Sequence, residues 1–570
     1  MRGPFVPLLV LLVLPGALAA WRLGLLRRRV VRWALGLAAA GALILSQPAE
    51  GLDFRYLKHM TLFLAGAAMA LVLLRHYGGP HAPSARQYVA ALGVLAAASL
   101  TVYLNFFSFH GARTWVHLHD VAHYYLGAKY FDELGYEHLY TAMLRAEGEL
   151  TPGRFSTLEA RDLSTNEIVP IRGLLLRSDE VKAGFTPERW EDWKRDVQML
   201  RAALGPQFKS LYIDHGFNPT PLWPVLGGAL AGLVPAGSRT GVLVLCLLDP
   251  LLLAAAFALV MWAYGWTAAL LGVIELCLVY GASFGWTGGA FLRYVWFAAS
   301  LSAACLLRRA RFAPAGALLA LAAALRVFPA LFAVPLGLQA LQRTWRERRV
   351  PGEHLRFFTA FAGTGLALFL LTAAQGRGLG AWGEFRHNMS KHMDTVSPNI
   401  VGLTPLFAYR DLPEQITIEE VREQRERYAH AGRVQKATLF VAALLAVALL
   451  APRARPDESM LLAVPLLLTG LNLASYYYVL LVLLVVVWWD RPRRVAALFS
   501  LELVTHALLL FEDREQFVYM YRSVLLLYLL AAFWARDLAE AVRGLMGRRS
   551  AGGGPPLGEE QARVPVGPVP

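Results

Sequence analysis

The sequence predicts an all-α polytopic membrane protein, and three observations carry that prediction. The 570 residues are 56% hydrophobic and only 17% charged, with a mean hydropathy of +0.44, whereas about a quarter of an ordinary soluble domain is charged. The apolar residues fall in runs of about 15–22, near the helical length that crosses a hydrocarbon layer. The basic residues behind the net charge of +14 gather between those runs. At segment ends they act as topology signals rather than as a polyanion surface, so nucleic acid is not an expected partner. Cys246, Cys277 and Cys305 lie inside apolar runs, without metal spacing or a disulfide pattern.

Residues 1–110 read as N-terminal transmembrane helices. Arg2, the apolar run to Leu18 and Ala17-Leu18-Ala19 have the form of a secretory signal. Cleavage would leave Arg22, Arg27, Arg28, Arg29 and Arg32 outside, against the positive-inside bias, so an uncleaved first span is expected. Further spans follow near 33–46, 60–74 and 88–109. Residues 111–217 then form a first outer loop. Within it, Thr186-Pro187-Glu188 reads as an N-cap with proline at the first helical position. Trp190, Trp193, Val197, Leu200 and Leu204 recur at helical spacing until Gly205-Pro206 stops the run. This amphipathic helix either lies in the headgroup region or packs inside an external subdomain, and residues 158–184 are irregular or short β structure.

Residues 218–374 form a transmembrane bundle with a re-entrant start, because Asn218-Pro219-Thr220-Pro221 and Pro224 break the apolar run at 222–234. Reading that run as a half-crossing places the Arg clusters at 308–311, 343–349, 453–455 and 491–494 all inside. Spans are expected near 242–262, 268–284, 295–307, 314–325, 328–341 and 357–374. Residues 375–433 are a second outer loop, with a sequon at Asn388-Met389-Ser390, a turn at Ser397-Pro398-Asn399 and a charged helix near 414–427. Residues 434–535 supply C-terminal spans near 439–450, 461–471, 477–489, 495–510 and 518–534, and 536–570 is a disordered cytoplasmic tail. No internal repeat is evident.

The chemistry concentrates at the entry to the first loop, HLHDVAHYYLGAKYFDELGYEHLY, His117 through Tyr140. Asp120 stands there among His117, His119, His123, Tyr124 and Tyr125 at a membrane boundary, where ionisable groups are costly and tend to be functional. Topology places Gly285, Arg293, Arg386 and Asn399 on the same side. Arg326 is an isolated cation in an apolar run, suited either to an anion at depth or to snorkelling. Residues 475–478 face that side too and read mainly as an aromatic belt. His119-Asp120-Val121-Ala122-His123 has the spacing of a zinc helix with Asp in place of Glu, but no third ligand is evident. There is no phosphate-binding glycine loop, dinucleotide fingerprint or Asp-x-Asp motif. An enzyme at the outer face would therefore draw its activated group from a lipid.

Asp120, Tyr124, Gly127-Ala128, Gly135 and Leu139-Tyr140 together resemble the first-loop signature of membrane glycosyltransferases with the C-type fold. The nearest branch is the polyprenol-phosphate-mannose-dependent α-mannosyltransferase-like family. The broken run at Asn218 to Pro224, Arg326-Val327-Phe328-Pro329-Ala330-Leu331 and Ser397-Pro398-Asn399 before Gly402-Leu403 are similar to later features of that family. Together they cover about residues 88–487, with Thr220 separating two prolines that are paired in the family. The resemblance implies a transmembrane bundle of that class with large outer-face loops, in the plasma (inner) membrane. It also implies inverting transfer of a sugar, mannose first, from a polyprenyl-phosphate donor to a lipid or glycan acceptor, with no cofactor expected and no residue assigned as a metal ligand. Asp120 is then the base, Arg293, Arg326, Arg386 and Lys391 are candidates for the donor phosphate, and His119, His123, Tyr124 and Asn399 for the sugars. Three other classes compete, one of them a non-catalytic assembly protein. A lipid-linked-sugar transporter or flippase would not need Asp120, and a membrane metallohydrolase would bind metal through the two histidines.

Overall fold

The computed structural model describes residues 52–111, 114–374, 376–393, 396–410 and 418–550. The expected first span, the run at 33–46 and the chain beyond 550 lie outside the described residues. Within them the protein is mostly helical, and six helices are long and apolar enough to cross a membrane: Tyr56–Tyr77, Ala85–Tyr103, Arg239–Tyr264, Gly352–Ala373, Arg433–Arg453 and Glu515–Arg543. The polytopic helical architecture therefore stands.

α1 (Phe54–Tyr77) and α2 (Ala85–Tyr103) pack against each other. Ser84 opens α2 with a full capping box: its hydroxyl accepts from Gln87 N, and the Gln87 side chain accepts from Ser84 N. The first polar loop is a folded subdomain of α3 (Leu118–Lys129), α4 (Leu139–Leu150), an antiparallel hairpin of β1 (Glu159–Asp162) and β2 (Glu167–Pro170), and α5 (Pro187–Leu204). Thr186 caps α5 as its sequence requires. Its tryptophans lie inside the subdomain, not at a lipid surface. Trp193 is fully buried and donates to Ala142 O at 3.1 Å, and Trp190 donates to Glu149 at 2.9 Å.

α6 (Leu222–Gly232) has 11 residues, about 16 Å of helix against a ~30 Å hydrocarbon core, so it is too short for a straight crossing. After the short helix Arg239–Cys246 come α7 (Leu248–Tyr264), α8 (Trp266–Leu278), α9 (Val295–Arg308) and α10 (Phe312–Arg326). Both α9 and α10 join the Arg cluster at 308–311 to the opposite end of the bundle, where Arg293 precedes α9 and Arg326 closes α10. α10 spans 15 residues, so roughly 22 Å separates the two ends.

The run at 328–341 is not one span. Phe328–Phe332 is a 3-10 turn, and α11 (Ala333–Glu347) begins after it, because Pro329 and Pro335 fit only a first turn. α12 (Gly352–Ala373) packs along α10 and leads to α13 (Gly380–Met393) in the second polar loop. β3 (Ile400–Val401), α14 (Ile418–Ala431) and α15 (Arg433–Leu450) follow. The run at 461–471 is likewise divided, into Pro456–Leu461 and Val464–Gly470, with Pro465 in the first turn of the second helix. β4 (Leu473–Ala474) pairs antiparallel with β3 and fastens the second polar loop to the segment Ser475–Leu480. α16 (Leu481–Val487), α17 (Pro492–Leu508) and α18 (Glu515–Ser550) complete the bundle. The tail expected from residue 536 is helical as far as Ser550: Gly544 and Gly547 stand singly among good helix formers, and the run Gly552-Gly553-Gly554-Pro555-Pro556 comes only after it.

Candidate functional site

α3 positions the site. His117 caps it by accepting Asp120 N on Nδ1 at 3.0 Å, and its own N–H donates to Gly289 O at 2.9 Å. Gly289 has φ +71, and a Cβ there would stand 1.8 Å from Trp115 O, so only glycine permits this approach. At the other end Lys129 donates to Asp196 (2.9 Å), Tyr125 (2.8 Å) and Val234 O (2.9 Å), which locks α3 to α5 and to the turn after α6. A Cβ on Gly228 would lie 2.7 Å from Ala128 O, the contact that lets α6 lie close against α3.

Two stripes of α3, about 100° apart, face different surroundings. Asp120 and Tyr124 face the bundle. Asp120 Oδ1 is paired with the Arg293 guanidinium, and Asp120 Oδ2 is shielded with no hydrogen-bond partner among the described residues. Such an unmatched oxygen costs about 1–3 kcal/mol and calls for a role. Arg293 stacks on Tyr476 at 4.5 Å, and its N–H and that of Tyr294 donate to Asp249 at 2.8 and 3.1 Å. Tyr476 meets Tyr477 with ring centroids 4.5 Å apart. Arg326 lies 5.9 Å from the Tyr477 ring and donates to the Tyr124 hydroxyl at 3.1 Å, which closes the circle. Leu292 and Val327, the neighbours of the two arginines, have φ +55 and +50. For the β-branched Val327 that is strain of the kind that collects at functional positions.

The broken stretch before α6 joins these parts. The Thr220 hydroxyl donates to Ala324 O at 2.6 Å, satisfying the end of α10 beside Arg326. Tyr136 donates to Pro219 O, and Asn388 donates to Asn218 at 2.9 Å.

His119 and His123 face the subdomain instead. His119 Nε2 is 2.9 Å from Asp214 Oδ2. His123 Nδ1 donates to His119 O at 2.8 Å, so its Nε2 is the acceptor and takes the Tyr140 hydroxyl at 2.9 Å. Burial holds His123 below the usual imidazole range and pushes His117 down to about 4. Burial alone would raise Asp214, but the His119 hydrogen bond, the His123 charge and the His215 N–H outweigh it and keep the carboxyl well below its usual range.

The expected residues thus divide. Asp120, Tyr124, Arg293 and Arg326 form one cluster. Asn399 joins its edge through the main chain, its carbonyl accepting Ser475 N at 2.7 Å. Lys391 ties Glu137 (3.0 Å) to Leu163 O (2.7 Å), a brace between loops, while Arg386 is exposed on α13. His119 and His123 lie on the other stripe. Residues 475–478 are not chiefly a belt, since Tyr476 and Tyr477 meet the two arginines and Tyr478 is fully buried. The third partner that the histidines lacked in the sequence is Asp214, 95 positions after His119. Asp214 and Asp249 were missed because no local pattern marks a carboxylate whose neighbours come from distant segments. Comparisons of the chain with protein-family models, with curated proteins and with solved structures found no match.

Proposed function

We propose that this protein is a membrane glycosyltransferase that moves a sugar, mannose in the first instance, from a polyprenyl-phosphate donor to a lipid or glycan acceptor with inversion. The observation that carries the reading is the half-open ring of Asp120, Arg293, Tyr476, Tyr477, Arg326 and Tyr124, in which one carboxylate oxygen has no partner among the described residues. Asp120 Oδ2 takes the proton of the acceptor hydroxyl as that oxygen bonds to the sugar's anomeric carbon. The bond from that carbon to the donor phosphate breaks, and the leaving phosphate keeps the electron pair. Arg293 and Arg326 supply fixed positive charge for it, and the tyrosines fix the guanidinium planes. Because the Arg cluster at 308–311 lies at the far ends of α9 and α10, the positive-inside rule supports a site on the outer face of the plasma membrane. Incubating purified protein with labelled polyprenyl-phosphate sugars and a membrane extract tests the reading. Incorporation of one sugar into lipid or glycan is expected, and free sugar or none would refute it.

The grouping of His119, His123 and Asp214 favours a second reading, a metal-dependent hydrolase. It ranks lower because Asp120, the residue that would activate water, faces the bundle on the neighbouring stripe, with Arg293, and not the three donors.

A further inference from the structure

We infer that His119, His123 and Asp214 form a binding site for one divalent transition-metal ion of the zinc class. One donor atom from each lies within 4.8 Å of the other two, and His119 Nε2 and Asp214 are already at 2.9 Å. Ligand bonds of about 2.0–2.2 Å set donors roughly 3.3 Å apart, so modest side-chain rotation closes the set.

The surroundings match what a metal site needs beyond its ligands. His123 donates Nδ1–H to a main-chain carbonyl, which fixes the tautomer and presents Nε2 inward. The Ser210 hydroxyl, which itself donates to Gln207 O at 2.7 Å, stands 3.4 Å from His119 Nδ1, where it can accept that nitrogen's hydrogen once an ion replaces the hydrogen between Nε2 and Asp214. Asp214 Oδ1 accepts His215 N at 2.6 Å, leaving Oδ2 toward the histidines. The Tyr140 hydroxyl now holds the His123 Nε2 lone pair at 2.9 Å, and an ion bound there would displace that hydrogen bond. Two imidazoles and one carboxylate favour a borderline metal over magnesium or calcium. The ion would pin the end of the first polar loop to α3, one residue from Asp120. The inference does not depend on sugar transfer.

Tag-free, full-length protein in detergent, stripped with chelator and reloaded with Zn2+ alone, is expected to retain about one zinc per chain through gel filtration. It should also melt at a higher temperature than the stripped protein. Cobalt loading should give the visible absorption of a low-symmetry nitrogen and oxygen site. His119→Gln and Asp214→Asn should each lower retained zinc at least tenfold and abolish the metal-induced rise in melting temperature. His119 is one-third exposed, so that variant keeps the comparison if Asp214→Asn fails to fold. Wild-type protein that retains no zinc, or variants that retain as much as wild type, overturn the site.

Discussion

Two carboxylate–arginine pairs lie at different places in this molecule, and they are built differently. Glu502 on α17 and Arg522 on α18 are sealed, at 0% and 1% side-chain exposure. Both carboxylate oxygens are taken, at 2.7 and 2.5 Å, and Thr505 and Tyr280 N complete the set at 3.0 and 3.2 Å. Asp120 and Arg293 retain 10% and 13% exposure, engage one carboxylate oxygen, and open onto a second arginine and three tyrosines. A saturated pair has no valence left and can only fasten helices. An unsaturated pair beside a cation with no carboxylate partner among the described residues has the polarity to receive a hydroxyl and a phosphate. Saturation, more than burial, separates the structural pair from the one proposed to react.

The comparison can be broken in four ways. Arg522→Met strands a buried carboxylate and should lower stability by about 3–5 kcal/mol in thermal or denaturant melting. A small change would show that the pair fastens nothing. Arg326→Gln should leave melting nearly unchanged and reduce sugar transfer by about a hundredfold at saturating donor. Intact transfer would remove Arg326 from the phosphate site. The third test is pH. Because burial lowers folded His117 to about 4 from 6.5, the unfolded chain binds more protons between those values. His117 therefore adds stability in full above about 6.5 and loses it as pH falls toward 4. The melting temperature should fall across that window, and His117→Asn, which keeps a helix cap, should flatten the slope. An unchanged slope would contradict the burial of the imidazole. The smallest effect concerns Glu275, which lies near the sealed pair with neither carboxyl oxygen bonded among the described residues. Glu275→Gln should not lower the melting temperature, and a drop of several degrees would reveal a partner.

Much of this was legible in the sequence because it is local. Hydropathy gave the helices, Thr186-Pro187 and Gly205 bounded α5, and the crowding of ionisable groups singled out α3. The positive-inside pattern put Asp120 and Arg293 at one end of the bundle, where the fold brings them together with Arg326, which had stood out only as a lone cation in an apolar run. What escaped was non-local. Pairing of β3 with β4 carries Tyr476 and Tyr477 to the arginines, and a run of aromatic residues looks the same in a belt as in a site. Arg386 and Lys391 share a helix and a charge, but only the fold shows Lys391 held by Glu137 and Arg386 turned outward. The run at 328–341 failed for a different reason: hydropathy does not register its prolines, whereas Pro329 opens a separate 3-10 turn and Pro335 confines the start of α11 to Ala333, two residues before it.

The most direct measurement compares Asp120→Asn with wild type in two assays, donor binding and sugar transfer from the polyprenyl phosphate. The reading predicts that the isosteric amide binds donor within a few-fold of wild type, yet transfers roughly a thousandfold more slowly. Transfer at a near wild-type rate would contradict Asp120 as the base and leave the open pair without the role assigned to it.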